Sequence, residues 1–295
     1  MANTFKFGNG NWATKEDSVL AYNDENNNFK PLPFDFTRAS TATYVDSDGL
    51  IKTAGNGEAR IDYTDSTDGA LLLEPSRSNF IPYSEDFNLV WVERSVTLTA
   101  NSVISPDGTQ NASTLTINNS TPYLGDINNI VTTGSTYTIS CFVKKGTNRW
   151  VRLASYSSAI SGAWFDLENG VVGTVNSTSA SIEDFGNGWY KIKNTTIVSN
   201  SNNQAFIGLS DADGGTSSSQ IGNTVYIYGA QLEVGSYATS YIPTSGSAVT
   251  RVADVCEGAG NSEVFNDSEG VLYAEISALA NDGTNRAIAI SDGTT

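Results

Sequence analysis

From Trp91 to Val234 the chain is a succession of short runs that alternate apolar or aromatic residues with polar ones, each closed by Gly, Asn, Asp or Ser. A two-residue period sends successive side chains to opposite faces of a strand, so a series of such runs divided by turn residues folds as antiparallel sheets with faces that must be covered. Helical periodicity is hard to find anywhere. The pattern predicts an all-β chain whose main unit is a sandwich of two antiparallel sheets, with strands at 95–100, 111–117, 136–144, 150–154, 163–167, 170–173, 179–185, 189–193 and 205–209. Trp91 and Val92 open it. The closing run is the longest: 224–228 alternates β-branched and aromatic residues, Gly229 breaks it and 231–234 resumes it, the mark of one strand carrying a bulge. Gly235, Pro243 and Gly246 then turn the chain out of the sheet.

Composition narrows the chemistry. A chain of 295 residues has room for two domains of ordinary size. Its net charge of −16 and pI near 4.2 repel phosphate backbones and argue against nucleic acid as a partner. Histidine is absent, which removes the usual Ser/His and Cys/His nucleophile pairs and the commonest transition-metal ligand. Cys141 and Cys256 stand far apart without metal-ligand spacing, and Cys141 lies in a strand pattern where a buried free thiol is the expected state. No apolar run approaches the ~18 residues of a membrane span. Residues 1–10 lack the apolar core of a secretory signal, so synthesis in a cytoplasm is expected.

The first 36 residues hold two apolar runs, 18–22 and 29–36, flanking an Asn/Asp-rich loop at 23–28 that reads as a hairpin. Pro31 and Pro33 confine the second run to an edge or an extended segment rather than a central strand. So small a segment must dock, either on the following domain or on another subunit. Residues 37–82 read as lead-in strands with a turn at Asp48-Gly49. Arg38, Arg60 and Arg77, set among Glu58, Asp62 and Glu74, read as structural ties, because a planar guanidinium pairs with carboxylates two bonds at a time. At the far end, 269–277 and 286–292 alternate like strands around a loop. Two strands are too few for a sheet of their own, so either the chain is a fragment of a longer one, the favoured reading, or these strands complete a neighbouring domain.

Several pieces together carry a resemblance. Gly229–Glu233 (GAQLE), Thr239–Pro243 (TSYIP), and Thr250, Arg251, Ala253 and Asp254 stand in the order seen in a β-sandwich module of phage virion proteins. The lead-in pieces at 37–40, 42–43 and 48–51, then LLLEP at 71–75 with Arg77 and Asn79, are similar to what precedes that module. So are 165–174 (FDLENGVVGT) and 186–192 (GNGWYKI). The chain therefore resembles a bacteriophage fibre or spike (minor structural) protein with a carbohydrate-binding-like jelly roll. Its end resembles the start of a concanavalin-like sandwich. Where the family pattern often has Trp before GAQLE, this chain has Tyr228, one sugar-stacking indole fewer. The resemblance implies an anchor at 1–36, lead-in strands at 37–82, the sandwich at 83–254 and the start of a further sandwich at 255–295. It also implies a non-enzymatic virion component that assembles with other virion proteins of capsid, portal or tail and forms a homo-oligomer, a trimer before a dimer. Such a component attaches to host-surface glycan and works neither on nucleic acid nor by membrane insertion. A virion-associated glycan depolymerase is the alternative.

Sugars are held by aromatic faces with amides and charged groups taking the hydroxyls, which makes Trp150, Tyr156, Trp164 and Trp189 the candidates, with Asn148, Arg149 and Gln204 as polar partners. For each of these aromatics burial in the sandwich core is the favoured reading over sugar contact, and Trp189 inside GNGWYKI has that reading. Asp211 and Asp213 in LSDADGG are the candidate ligands of a structural calcium ion, though an acidic Gly-rich turn explains the same residues. No other cofactor is implied. Phe5, Phe7, Trp12, Leu32 and Phe34 are the candidate anchoring or oligomer contacts. No phosphate loop or nucleophile elbow appears, and with 32 acidic residues carboxylate pairs alone identify no active site.

Overall fold

The computed structural model describes residues 5–6, 12–20, 22–23, 28–29, 34–126, 131–155, 162–199, 205–258 and 273–289. Strands and turns account for their regular structure, and no helix occurs among them. Two six-stranded antiparallel sheets face each other. The first runs, in spatial order, Trp91–Arg94, Tyr123–Asp126, Ala205–Ser210, Trp150–Ser155, Gly162–Asp166, Val171–Asn176. The second runs Val96–Val103, Ala112–Ile117, Thr224–Val234, Thr136–Lys145, Trp189–Ile197, Ser179–Asp184. The closing strand lies between Ala112–Ile117 and Thr136–Lys145, so the chain returns to the middle of a sheet it began much earlier, a crossing of Greek-key type. The all-β sandwich expected from the alternating pattern is the fold.

Between the sheets lies one continuous core that includes Trp91, Leu115, Leu124, Ile139, Val151, Phe165, Ile192, Ile207, Val225 and Ile227. The closing strand shows how its register is kept. Val225 and Ile227 face this core, and after Gly229 the inward residues become Ala230 and Leu232. The phase changes because pairing with the neighbouring strand jumps from Phe142↔Tyr228 to Ser140↔Gln231, leaving Gly229 and Ala230 opposite Cys141. Gly229 has φ +60°, and a Cβ there would come within 3.2 Å of both the Phe142 and Tyr241 rings. Glycine alone fits that bulge at low cost, and the extra residue keeps both halves of the strand turned to the same core.

The second sheet is apolar on its outer face too. Phe142, Trp189, Tyr228 and Ala112 form a second core with Ile51 of the lead-in and Tyr241 of the TSYIP piece. The lead-in is thereby a third layer, with the hairpin Ala42–Val45 and Ile51–Ala54 as its main strands. Above the closing strand sits a buried polar cluster built from the motif residues. Arg60 pairs with Glu74 at 2.7 Å and with Asp254 at 2.5 Å, Asp254 pairs with Arg38 at 3.0 Å, and Arg251 pairs with Glu74 at 2.9 Å. Ser240 donates to Glu74 from both its N–H and its hydroxyl, and Asn79 donates to the carbonyls of Ala230 and Ile242 while accepting from Ile81 and Leu232 N–H. Beside it Lys191, also buried, donates to the Thr239 carbonyl at 3.0 Å. Burial, with Lys193 adding to it, brings its ammonium down to about 8.

Three expectations change. The strand Phe34–Thr37 begins after Pro33 and pairs on one side with Ser18–Leu20 and on the other with Val255–Glu257, so pairing crosses both the 36/37 and the 254/255 limits. The edge expected from Pro31 and Pro33 is therefore not found: the prolines precede the strand, and Phe34–Thr37 lies inside a separate four-stranded sheet on a small core of Val19, Phe36 and Ala59. The expected hairpin is present, Tyr22–Asn23 pairing with Asn28–Phe29, and Ala13–Lys15 pairs with Ser18–Leu20. In the last segment no strand occurs among the described residues 273–289, and Tyr273, Ile276 and Ile288 are exposed. The remaining parts of the two expected runs, 269–272 and 290–292, lie outside the described residues, and within 273–289 the alternating residues pair with no described strand. Both cysteines are free, Cys141 being buried.

Burial would raise the Glu74 carboxyl, but Arg251 and Arg60, with the Ser240 donors, bring it below its ordinary range. A depressed pKa contributes stability above the unfolded value and loses it as pH falls through the folded one. Glu74→Gln leaves two buried guanidinium groups short of charge and is expected to cost about 3–5 kcal/mol at pH 7. Urea unfolding as a function of pH checks it: the gap between variant and native chain should narrow as pH falls below the ordinary carboxylate range, and a gap independent of pH would refute the assignment.

Candidate functional site

The junction of lead-in and sandwich leaves a cleft of about 280 Å³ lined by Thr43, Ile51, Lys52, Thr53, Glu85, Asp107, Thr109, Tyr228, Tyr241 and Pro243. Each element contributes for a local reason. The hairpin Ala42–Val45 and Ile51–Ala54 supplies one wall, with Lys52 and Thr53 on its accessible side. The turn that holds Asp107 is closed by its own hydrogen bonds, since Asp107 Oδ1 accepts from Ser105 Oγ at 2.7 Å and from Thr109 N at 2.6 Å. Tyr228 reaches the floor because it precedes the bulge and points away from the main core, and Tyr241 comes from the TSYIP piece.

The two tyrosines and two acids form one network. Tyr228 Oη lies 3.2 Å from Glu85 Oε1 and 3.1 Å from Asp107 Oδ2. Tyr241 Oη lies 3.0 Å from Glu85 Oε1 and 2.6 Å from Ser84 Oγ. A phenol has one proton to donate, so the Tyr228 hydroxyl satisfies one carboxylate at a time. The acids are displaced in opposite directions. Burial raises the Glu85 carboxyl, and Asp107 nearby adds to it, against the hydrogen bonds from Tyr241 and Tyr228. Burial also acts on Asp107, but donors from Ser105, Thr109 and Asn111 hold it below the ordinary range. Both phenols are raised by burial and by Glu85, so they remain hydroxyls at neutral pH. The cleft therefore offers hydroxyl donors and acceptors, one firmly ionised acid, one more easily protonated acid and one lysine.

The sequence candidates fall elsewhere. Trp164 is fully buried, its Nε1 donating to the Gly215 carbonyl at 2.6 Å and its face covered by Arg152 at 5.0 Å. Trp189 is 3% exposed and belongs to the second core. Neither has a face to offer a sugar, because each indole is what fills the space beneath a covering layer. Trp150 keeps partial exposure, with Arg149 over its ring at 5.5 Å, while Asn148 is buried and donates to the carbonyls of Trp150 and Ser210. Arg149 chelates Asp166 through Nε and Nη2. Tyr156 and Gln204 lie outside the described residues.

Asp211 and Asp213 are engaged by separate donors: Asp211 by Ser218 and Ser219, Asp213 by the Thr174 N–H and hydroxyl. Among the described residues no three His, Cys, Asp or Glu side chains are placed to share a metal ion. Of the anchor candidates, Trp12 donates to the Asp68 carbonyl at 2.8 Å and Phe34 packs on the small core of Val19, Phe36 and Ala59. Phe5 lies in a two-residue strand paired with Tyr22–Asn23, and Phe7 and Leu32 fall outside the described residues. The pattern missed Glu85, Asp107 and Lys52, whose signal was slight: Asp107-Gly108 marks a turn, and nothing local tells one acid from the others.

No protein-family model and no curated protein matches the chain. Among solved structures, the CBM22-1 and GH10 modules of Clostridium thermocellum xylanase 10B, complexed with xylohexaose, share 16% identity at a TM-score of 0.35, over 57% of this chain and 30% of that one. The enzymatically active domain of bacteriophage CBA120 tailspike protein 4 shares 13% at 0.32, over 53% and 21%. The CBM22-1 xylan-binding domain of Paenibacillus barcinonensis Xyn10C shares 13% at 0.31, over 55% and 94%. The matched part thus spans less than a third of the first two chains, and likenesses this low transfer no site or activity.

A carboxyl with a raised folded-state pKa favours folding while protonated, and that contribution is lost as pH rises through the folded value. Glu85→Gln keeps an acceptor for Tyr241 but cannot ionise. Its melting temperature relative to the native chain is expected to climb as pH rises from about 4.3 towards neutrality. A difference that stays flat with pH would show that Glu85 titrates normally.

Proposed function

We propose that this chain is the glycan-attachment part of a bacteriophage fibre or spike subunit, binding host-surface saccharide without cleaving it. The observation that carries the binding reading is the cleft between lead-in and sandwich, where hydroxyls, carboxylates and an ammonium surround a space near the lower end, roughly 300 Å³, of ordinary small-molecule sites. Such a set suits a ligand that is itself a ring of hydroxyls, donating and accepting at once. Support for the virion setting comes from the GAQLE, TSYIP and TR/AD pieces, which converge on one buried cluster that fastens the lead-in to the sandwich. In the same proposal the subunits form a homo-oligomer, a trimer, alongside capsid, portal or tail proteins. Linked weak heads gain avidity because later binding events become intramolecular.

Titration of the whole chain with neutral oligosaccharides from the host surface, followed by calorimetry, tests the binding. Asp107→Asn and Lys52→Ala are each expected to weaken it about tenfold, the size of one charge-assisted hydrogen bond. Unaltered affinity in both would remove the cleft from the proposal. Sedimentation at micromolar concentration in moderate salt tests the oligomer, and a monomer there would rule out self-assembly by these residues.

The opposite displacement of Glu85 and Asp107 favours one second reading, glycan hydrolysis, in which a protonated acid and an ionised one flank a scissile bond. Incubating the chain with host capsule and assaying new reducing ends separates the two. The binding reading expects none, and their appearance in the native chain but not in Glu85→Gln would establish the hydrolase.

A further inference from the structure

Four arginines stand in the motif pieces at 38, 60, 77 and 251, or adjoin them, and three are paired with carboxylates, although the Nε of Arg60 and that of Arg251 have no acceptor. Arg38, Arg60 and Arg251 are buried and pair with Asp254 or Glu74. Arg77, expected to be a tie of the same kind, is not. It forms no ion pair among the described residues, although the chain carries 32 acidic side chains. Its one protein hydrogen bond there is a long contact of 3.5 Å from Nη1 to the neighbouring Ser76 carbonyl, and its buried Nε has no acceptor.

The guanidinium is nevertheless held in place. It lies over the Tyr237 ring at 5.1 Å, an arrangement that fixes a planar cation without using its N–H groups. It also rests on Gly235, whose φ of +130° and missing side chain admit it: a Cβ there would come within 3.1 Å of Nη2. Its strand, Arg77–Asn79, pairs with Val249–Arg251, and the Ser78 hydroxyl meets that of Thr250 at 2.7 Å. Ser76, Arg77, Ser78, Phe80 and Val234 together line a cavity of about 170 Å³ at the end of the closing strand, Thr224–Val234. Arg286 also reaches the Tyr237 side chain, but it is paired with Asp282 at 2.5 Å and so brings its own counter-charge.

A stacked guanidinium with unused donors, in a small cavity edged by two serines, is complementary to an oxyanion. We propose that this cavity is a second saccharide subsite, which takes the carboxylate of an acidic sugar on Arg77, itself seated on Tyr237, with the sugar ring against Phe80. The proposal deepens the glycan-binding reading and rests on it for the ligand's class. It also accounts for how a chain of net charge −16 would hold an anionic glycan: the attraction is local to a guanidinium that forms no ion pair among the described residues.

The test titrates the whole chain with D-glucuronate, D-glucose and sodium acetate in parallel, by ligand-detected NMR, with melting temperature recorded for every variant. Glucuronate is expected to bind the native chain, glucose and acetate at least tenfold more weakly, and Arg77→Gln to lose the glucuronate preference with an unchanged melting temperature. Arg77→Lys keeps the charge but not the planar fork, and Tyr237→Leu removes the platform; each should reduce glucuronate binding and keeps the question answerable if the glutamine variant misfolds. Equal binding of glucuronate and glucose by the native chain, or glucuronate binding undiminished by these substitutions, overturns the subsite. Acetate binding as tightly as glucuronate would also overturn it, showing a bare anion site with no sugar recognition. The cleft fails separately: glucuronate binding that depends on Arg77, in a chain whose neutral-oligosaccharide binding is absent or indifferent to Asp107→Asn, would leave this subsite standing and remove the other.

Discussion

The architecture depends on the ion cluster in which Arg60 lies between Glu74 and Asp254 while Arg251 shares Glu74. Charges taken out of water are costly unless each finds an opposite charge and the remaining lone pairs find donors. Here the partners come from stretches far apart in the chain, with 180 residues separating Glu74 from Asp254. Until lead-in, closing strand and the segment after it are all in place, some member is buried without its counterpart. The cluster is thus a poor source of net stability and a strong device for specifying one arrangement. The cleft walls and the seat of Arg77 are fixed by the same elements.

Much of this was legible because sheets write themselves into sequence with a period of two. The run at 136–144 differs by a single residue from the strand Thr136–Lys145, and the break at Gly229 marked a bulge that the register confirms. Tyr123–Asp126 was missed because YLGD is short, holds a glycine and shows no alternation. At 273–289 the opposite happened: alternation was present without a strand, since a period says which residues share a face and not whether a partner exists to pair with.

The site was less legible, for a different reason. Trp164 and Trp189 were sugar candidates with a core reading favoured beside them, and their burial, which is decided by layers contributed from elsewhere, bears out the core reading. Glu85 and Asp107 could not be told from other acids, since what distinguishes them is a shared phenol hydroxyl. The arginines were correctly seen as special, yet sequence could not separate the three that are spent on carboxylates from the one that is not.

The sheet holding the closing strand carries apolar side chains on both faces, Ile139 and Val225 towards one core and Phe142 and Trp189 towards the other. A two-layer sandwich can be lifted out of one chain and inserted into another with only its loops disturbed. A sheet greasy on both sides cannot. If genes for such proteins exchange parts by recombination, the piece that survives transfer must carry lead-in and sandwich together, from about Phe34 to Glu257, the span whose first and last strands pair with each other. Crossovers placed between them would yield chains with an aromatic wall open to solvent, prone to self-association before they could be incorporated into anything.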